Sequence, residues 1–235
     1  DYTPKTFDAN DIVSYKLNNE FEVSVRFGEN LTGDWDNDIN TANTTQTVDS
    51  NNLEFYLNLV EYCRDHSGSR MVQKRFEESS EEEKYIMLEI LTPHIYQLSK
   101  DVFGNYVIQK ILDYSQGRSV IIHQLEGYIY ELSLHMYGCR VVQKAIELAE
   151  NRENIKIFNE IHNGLIKFID DQNGNHVLQR LIERLPHEYK RKIIRTLRDK
   201  VIYLCLHQYG CRVLQKIFEY CNEEDYAGLL EIIKD

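Results

Sequence analysis

The chain has 235 residues, 42% of them hydrophobic and 28% charged, with a formal net charge of −11, a composition ordinary for one or two folded domains in water. No apolar run approaches the roughly 18 residues a membrane-crossing helix needs, and nothing near the start has the basic-then-apolar layout of a signal peptide. The five cysteines (63, 139, 205, 211, 221) make an odd count without a CxxC pair, so reduced thiols are expected in place of a disulfide framework or a metal site.

A cytoplasmic location, no metal and no cofactor are therefore expected, and the opening Asp1 in place of Met suggests a piece of a longer protein. Residues 1–52 are rich in Asp, Asn and Thr and hold ten Asp/Glu against three Lys/Arg, a charge of −7. Such a composition buries too little apolar surface to fold alone. Within this acidic leader, Phe21, Val23, Val25 and Phe27 alternate with polar residues, and Asn18-Asn19 can turn the chain back on Ile12–Leu17. The pattern predicts a small hairpin at 12–27, followed by a linker at 30–52.

From Leu53 to Asp235 one phrase recurs: SGSRMVQK at 67–74, FGNYVIQK at 103–110, YGCRVVQK at 137–144, NGNHVLQR at 173–180 and YGCRVLQK at 209–216. The closing glutamines, Gln73, Gln109, Gln143, Gln179 and Gln215, are separated by 36, 34, 36 and 36 residues. A fixed period of that size signals stacked supersecondary units, each unable to bury its apolar face alone. Three helices per unit are predicted. In one unit, Ser80-Glu81-Glu82-Glu83 forms a capping box opening a helix to about Leu91. Thr92-Pro93 opens a short helix to about Ser99, and Gly104 precedes a third that carries Asn105–Tyr114. Pro186 similarly opens a helix through about Arg195. The fold class expected is an all-α solenoid.

On the third helix, Val107-Ile108 and Ile111-Leu112 lie four residues apart and share a face toward the core. Asn105, Tyr106 and Gln109 lie opposite, with 105 and 109 side by side one turn apart. Every repeat keeps this division: Ser69, Arg70, Gln73; Cys139, Arg140, Gln143; Asn175, His176, Gln179; Cys211, Arg212, Gln215. An amide or small polar side chain beside Gln can address a base edge, and an Arg, Tyr or His plane can stack on a base. Lys74, Lys110, Lys144, Arg180 and Lys216 follow the glutamines, and no acid occurs within the phrases; the readings are a solvated basic face or a basic inner stripe facing the phosphates of a polyanion. The glycines at 68, 104, 138, 174 and 210 are expected to let helices approach closely.

These phrases and their spacing closely resemble the Pumilio (PUF) RNA-binding repeats, over about 53–235, in the order of the family's first to fifth repeats. The resemblance implies a right-handed crescent whose concave face binds single-stranded RNA antiparallel to the protein, one base per repeat. It further implies that Asn with Gln reads uracil and that Cys or Ser with Gln reads adenine, the middle residue stacking. Carried over residue by residue, the target is 5′-AUAUA-3′, the 3′ part of a UGUA-type element in an mRNA 3′-UTR. The family's three C-terminal repeats, which read UGU, have no counterpart here. Post-transcriptional repression is implied, with repressor or deadenylation proteins held on the convex face and no membrane partner. The rival readings are a nonspecific or rRNA-processing relative, which would scramble the triplets, and a protein-binding armadillo or HEAT solenoid. Catalysis is not expected: there is no HExxH and no Gly-rich loop carrying Lys-Ser/Thr, and His135 and His207 only occupy equivalent positions before YGCR.

Overall fold

The computed structural model describes residues 50–234; the hairpin expected at 12–27 and nearly all of the acidic leader lie outside the described residues. The chain divides into two compact units between Asn58 and Leu59. Of the first, the described part is α1 (Ser50–Leu57), where Phe55 and Tyr56 are buried and their rings meet edge to face at 5.4 Å.

The second unit is helical throughout its described residues. It runs α2 (Leu59–Arg64), α3 (His66–Glu78), α4 (Glu81–Leu91), α5 (Ile95–Lys100), α6 (Gly104–Leu112), α7 (Ser115–Leu125), α8 (Ile129–Leu134) and α9 (Gly138–Leu148). It continues through α10 (Asn151–Ile161), α11 (Leu165–Asp170), α12 (Gly174–Arg184), α13 (His187–Leu197), α14 (Val201–Leu206), α15 (Gly210–Tyr220) and α16 (Glu223–Lys234). Short 3₁₀ turns at Thr92–His94, His162–Gly164 and Arg198–Lys200 lead into α5, α11 and α14.

The helices sort into three rows. The long helices α3, α6, α9, α12 and α15 pack each on the next to form an inner row. The short helices α2, α5, α8, α11 and α14 each pack on the inner helix that follows, and α4, α7, α10, α13 and α16 form an outer row resting on them. This is the α-solenoid anticipated from the period. Its core is the apolar stripe of each inner helix: Val107, Ile108, Ile111 and Leu112 are fully buried, as are Val141, Val142 and Ile146, and Val177, Leu178, Leu181 and Ile182.

Local sequence sets the boundaries. Ser80 and Glu83 exchange side-chain-to-backbone bonds at the start of α4, and Glu150 with Glu153 does the same for α10, so orphan amides at both helix starts are satisfied. The third helix of the unit stops at Leu112, two residues before the expected Tyr114. Asp113 and Tyr114 donate three residues back, to Lys110 and Ile111, because the chain must reverse to bring Gly117 against Ile111: a Cβ on that glycine would lie 2.9 Å from the Ile111 carbonyl oxygen.

The repeated glycines have one shared reason. A Cβ on Gly68, Gly104, Gly138, Gly174 or Gly210 would come within 2.5–3.0 Å of the carbonyl oxygen of Tyr62, Leu98, Leu132, Phe168 or Leu204, in each case six residues earlier. The short helix and the inner helix of every repeat touch backbone to backbone there, which turns the chain sharply between them and aims the next residues, the triplet, inward.

Candidate nucleic-acid interface

Each inner helix begins at a cap that fixes its first turn. Asp65 accepts from the Ser67 and Gly68 amides at 2.8 and 2.7 Å, Asp101 from Phe103 and Gly104 at 2.8 and 2.7 Å, and Asp171 from Asn173 and Gly174 at 2.8 Å each. In the other two repeats a histidine replaces the carboxylate: His135 Nδ1 accepts from Tyr137 and Gly138 at 3.2 Å, and His207 Nδ1 from Tyr209 and Gly210 at 3.3 and 3.2 Å. These residues are therefore the fastening points of the third and fifth repeats. The amides hold the Asp65 carboxyl below the usual carboxylate range, the Gly68 bond contributing most.

The histidine cap works only with neutral Nδ1. Burial, and then the nearby Lys100, push the His135 pKa down against an opposing pull from Glu131. The unfolded chain then takes up a proton near the ordinary histidine value while the folded chain resists it. Stability is full above roughly pH 6.5 and declines as pH falls from there toward the lower folded value. His94, pushed down by burial and by Arg64, adds a slope of the same sign. His135→Asp, which installs the cap used at Asp101 and Asp171, is expected to flatten the urea midpoint between pH 7.5 and 5.5. An unchanged slope would mean that protonation of this cap is not what acid acts on.

Behind the caps, the first triplet residue is buried in four repeats and half-buried at Cys211 in the fifth, where an open face was expected. Asn105 and Asn175 are each 1% exposed, and Ser69 and Cys139 3% and 5%. The cause is hydrogen bonding to the preceding turn. Asn105 Nδ2 donates to the Asp101 and Val102 carbonyls at 2.8 and 3.0 Å, and Asn175 Nδ2 to Asp171 and Gln172 at the same distances. Ser69 Oγ donates to His66 O at 3.3 Å, and the Cys139 and Cys211 thiols to Met136 and Gln208 at 3.6 Å. Burial raises the Cys139 pKa, so this thiol stays protonated and unreactive near neutrality.

In the first four repeats the glutamine that closes the phrase bonds according to the identity of the first residue. Where it is Asn, Gln Nε2 donates to the Asn side chain: Gln109 to Asn105 Oδ1 at 3.0 Å and Gln179 to Asn175 Oδ1 at 2.9 Å. Where it is Ser or Cys, Gln73 and Gln143 reach past it to its backbone oxygen, Ser69 O and Cys139 O, both at 3.1 Å. Gln215 instead accepts from Arg212 Nη1 at 3.3 Å. The side-by-side placement expected one turn apart is thus present. In four repeats the Gln carbonyl and its second amide hydrogen remain to meet a ligand, one acceptor beside one donor.

The middle residues, Arg70, Tyr106, Arg140, His176 and Arg212, are all exposed, Tyr106 at 46%. One shallow groove is lined by Tyr106, Gln109, Arg140, Gln143, Lys144, Glu147 and Arg180, so the inner row brings residues of three consecutive repeats onto a single surface.

The five basic residues that follow the glutamines are each ion-paired. Lys110 pairs with Glu77 at 3.0 Å, Lys144 with Asp113 at 2.8 Å and Lys216 with Glu183 at 2.9 Å, each acid standing on the preceding repeat. Arg180 pairs within its own helix with Glu183 at 2.6 Å, and Lys74 reaches Glu78 at 3.8 Å. The acids sit four residues past each glutamine, at Glu77, Asp113, Glu147, Glu183 and Glu219, just beyond the phrase, so a longer alignment would have shown them. Their pairing makes a ladder from repeat to repeat. All five thiols are free, and burial pushes Cys63 up to about 12 and Cys221 to about 11. No group of residues suited to hold a metal occurs among the described residues, nor a helix long and apolar enough to cross a membrane.

Comparison with known proteins places this arrangement. The Pumilio-family RNA binding repeat matches five segments, 58–92, 94–122, 128–162, 171–197 and 200–233. The chain is 32% identical over 131 residues to Pumilio homolog 9 of Arabidopsis thaliana, covering 53% of this chain and 23% of that protein. It is 38% identical over 72 residues to mRNA-binding protein puf3 of Schizosaccharomyces pombe, covering 29% and 10%. Among solved structures, the Puf3 RNA binding domain bound to a Cox17 RNA 3′ UTR recognition sequence superposes with a TM-score of 0.75 at 36% identity, over 77% of this chain and 52% of that one. PUF-8 in complex with PBE-RNA gives 0.73 at 29% identity, over 77% and 54%. The chain spans about half the length of those domains and under a quarter of those two curated relatives. On repeat, period and fold together, the chain belongs to the Pumilio (PUF) family of RNA-binding repeat proteins.

Proposed function

We propose that the inner row binds single-stranded RNA by sequence, one base per repeat, with the strand antiparallel to the protein and 5′-AUAUA-3′ as the preferred target. The observation that carries this reading is the two-state glutamine. Uracil and adenine both offer a donor beside an acceptor on their Watson–Crick edges, so one Gln amide can pair with either. Base size then decides. At Asn105 and Asn175 the amide rests on a side chain that fills the space beside it, which suits a pyrimidine. At Ser69 and Cys139 the smaller residue lets the amide sit back on the backbone, which leaves room for a purine. Tyr106, His176 and the three arginines supply planes for stacking between successive bases.

Because Lys110, Lys144 and Lys216 are already paired, phosphate attraction contributes less than in a typical nucleic-acid surface, and discrimination rests on edges and stacking. The role in the cell that follows is recognition of a 3′-UTR element in mRNA and its post-transcriptional repression. Fluorescence anisotropy of the chain with labelled AUAUA and CCCCC strands tests the reading. Stacking is worth roughly 1–3 kcal/mol per base and is common to both strands, so binding to AUAUA is expected at least about tenfold tighter through edge pairing. Equal affinities would leave a sequence-blind surface.

A further inference from the structure

The outer row carries a concentration of charge that base reading does not use. Outer helix α13 holds Lys190, Arg191, Lys192 and Arg195 against the single acid Glu188, and the turn that follows adds Arg198 and Lys200 against Asp199. Its counterparts differ. Helix α4 carries Glu81, Glu82, Glu83 and Glu89 against Lys84, and α16 carries Glu223, Glu224, Asp225 and Glu231 against Lys234. Helix α10 is balanced, with Arg152 and Lys156 against Glu153 and Glu160, and α7 has Arg118 alone among its Lys, Arg and acid positions. In a chain of net charge −11, one outer helix is strongly cationic.

Its core face explains none of this. Ile193, Ile194 and Leu197 are buried, while Arg191, Lys192, Arg195, Arg198 and Lys200 are exposed. Part of the charge is used internally: Arg191 lies 3.8 Å from Asp225, Lys192 3.4 Å from Glu188, and Lys190 donates to Tyr220 O at 3.0 Å. Arg195 and Arg198 make no ion pair among the described residues, and they stand three residues apart on one side of the helix with Arg191 one turn before. Guanidinium groups at this spacing offer forked donors to successive carboxylates.

We propose that the exposed face of α13 and of the turn that follows it, centred on Arg195 and Arg198, docks an acidic segment of a partner protein. Single-stranded RNA is the weaker fit. Strands without sequence preference are held by a basic groove with free aromatic faces, whereas this surface is a convex helix whose nearby rings are occupied: Tyr189 by Phe158 at 5.6 Å and Lys192 at 4.3 Å, and Tyr220 by Lys216 at 4.9 Å. Helix α13 packs on α11 and α16 and takes no part in the inner row, so the site is independent of the base-reading proposal.

The test uses the full chain and two labelled probes, a decapeptide of alternating Asp and Glu, and a decacytidine RNA. The peptide is expected to bind in low salt and to weaken as salt is added. Arg195→Glu should lower peptide affinity by about tenfold, the scale of one charge-assisted contact, and Arg195→Glu with Arg198→Glu by more. Arg152→Glu on α10, an equal change of charge, should leave it unchanged. AUAUA binding should be untouched by all three variants, which separates failure here from failure of the base-reading proposal. Equal loss from Arg152→Glu, or no loss from Arg195→Glu, would overturn the site. Tighter binding of decacytidine than of the peptide, abolished by the double variant, would make the patch a phosphate surface and overturn the protein partner.

Discussion

Replacing Phe168 with alanine is expected to lower the unfolding free energy of the repeat array by about 3–5 kcal/mol, the range for deleting a fully buried aromatic ring. Phe168 is 0% exposed and is the largest fully buried side chain among the described residues. It meets Tyr130 of the preceding repeat edge to face, with centroids 5.1 Å apart at 70°, and its backbone abuts Gly174 at the start of α12. The cavity would therefore open at a junction between repeats. Because each repeat is stabilised largely by its neighbours, the loss should spread in both directions. A domain of this size shifts its melting midpoint by roughly 2–4 °C per kcal/mol, so a fall of about 10 °C by calorimetry is the expected result. A fall under about 2 °C would show that the neighbouring helices close over the gap.

Gly138→Ala is expected to destabilise by about 1–3 kcal/mol even though helix propensity alone favours the substitution by up to roughly 1 kcal/mol. The two effects oppose each other, and the contact decides. The new Cβ would stand 2.8 Å from the Leu132 carbonyl oxygen and 3.1 Å from its Cα, both backbone atoms of α8 that cannot rotate away. Gly228, inside α16, is the control: its nearest neighbours to a Cβ are Arg198 guanidinium atoms at 3.8 Å or more, so Gly228→Ala should be neutral or stabilising. Urea denaturation of both variants measures the pair. Stabilisation by Gly138→Ala would show that α8 and α9 can separate without cost.

The parts of this molecule that were legible in sequence are those with a period. The apolar pairs such as Val107-Ile108 and Ile111-Leu112 recur with each glutamine, and periodicity of that kind registers burial directly. The capping box at Ser80 fixed the start of α4 because its two bonds are local. The depth of Asn105 and Asn175 was not legible, since a helical wheel places them opposite the core and gives no sign that the turn before them folds over their amides. Nor did the wheel show that Lys110, Lys144 and Lys216 are neutralised from the neighbouring repeat, a contact about one period away in sequence. His135 and His207 were visible as equivalent positions, but their role as capping counterparts of Asp65, Asp101 and Asp171 appears only once the amides they accept from are placed.

The proposal that each repeat reads one base in a fixed order is tested most directly by rewriting one repeat and locating the change on the strand. Asn105→Ser with Gln109→Glu removes the amide that Gln109 now leans on and substitutes a carboxylate, which accepts from the donors on the Watson–Crick edge of guanine. Binding of the variant should be measured against 5′-AUAUA-3′ and all its single guanine substitutions. The expected result is a shift of preference to 5′-AUAGA-3′, by about 1–3 kcal/mol of discrimination, at the fourth base and at no other. A shift at the second base would contradict the antiparallel order, and a uniform loss with no shift would contradict base reading by these residues.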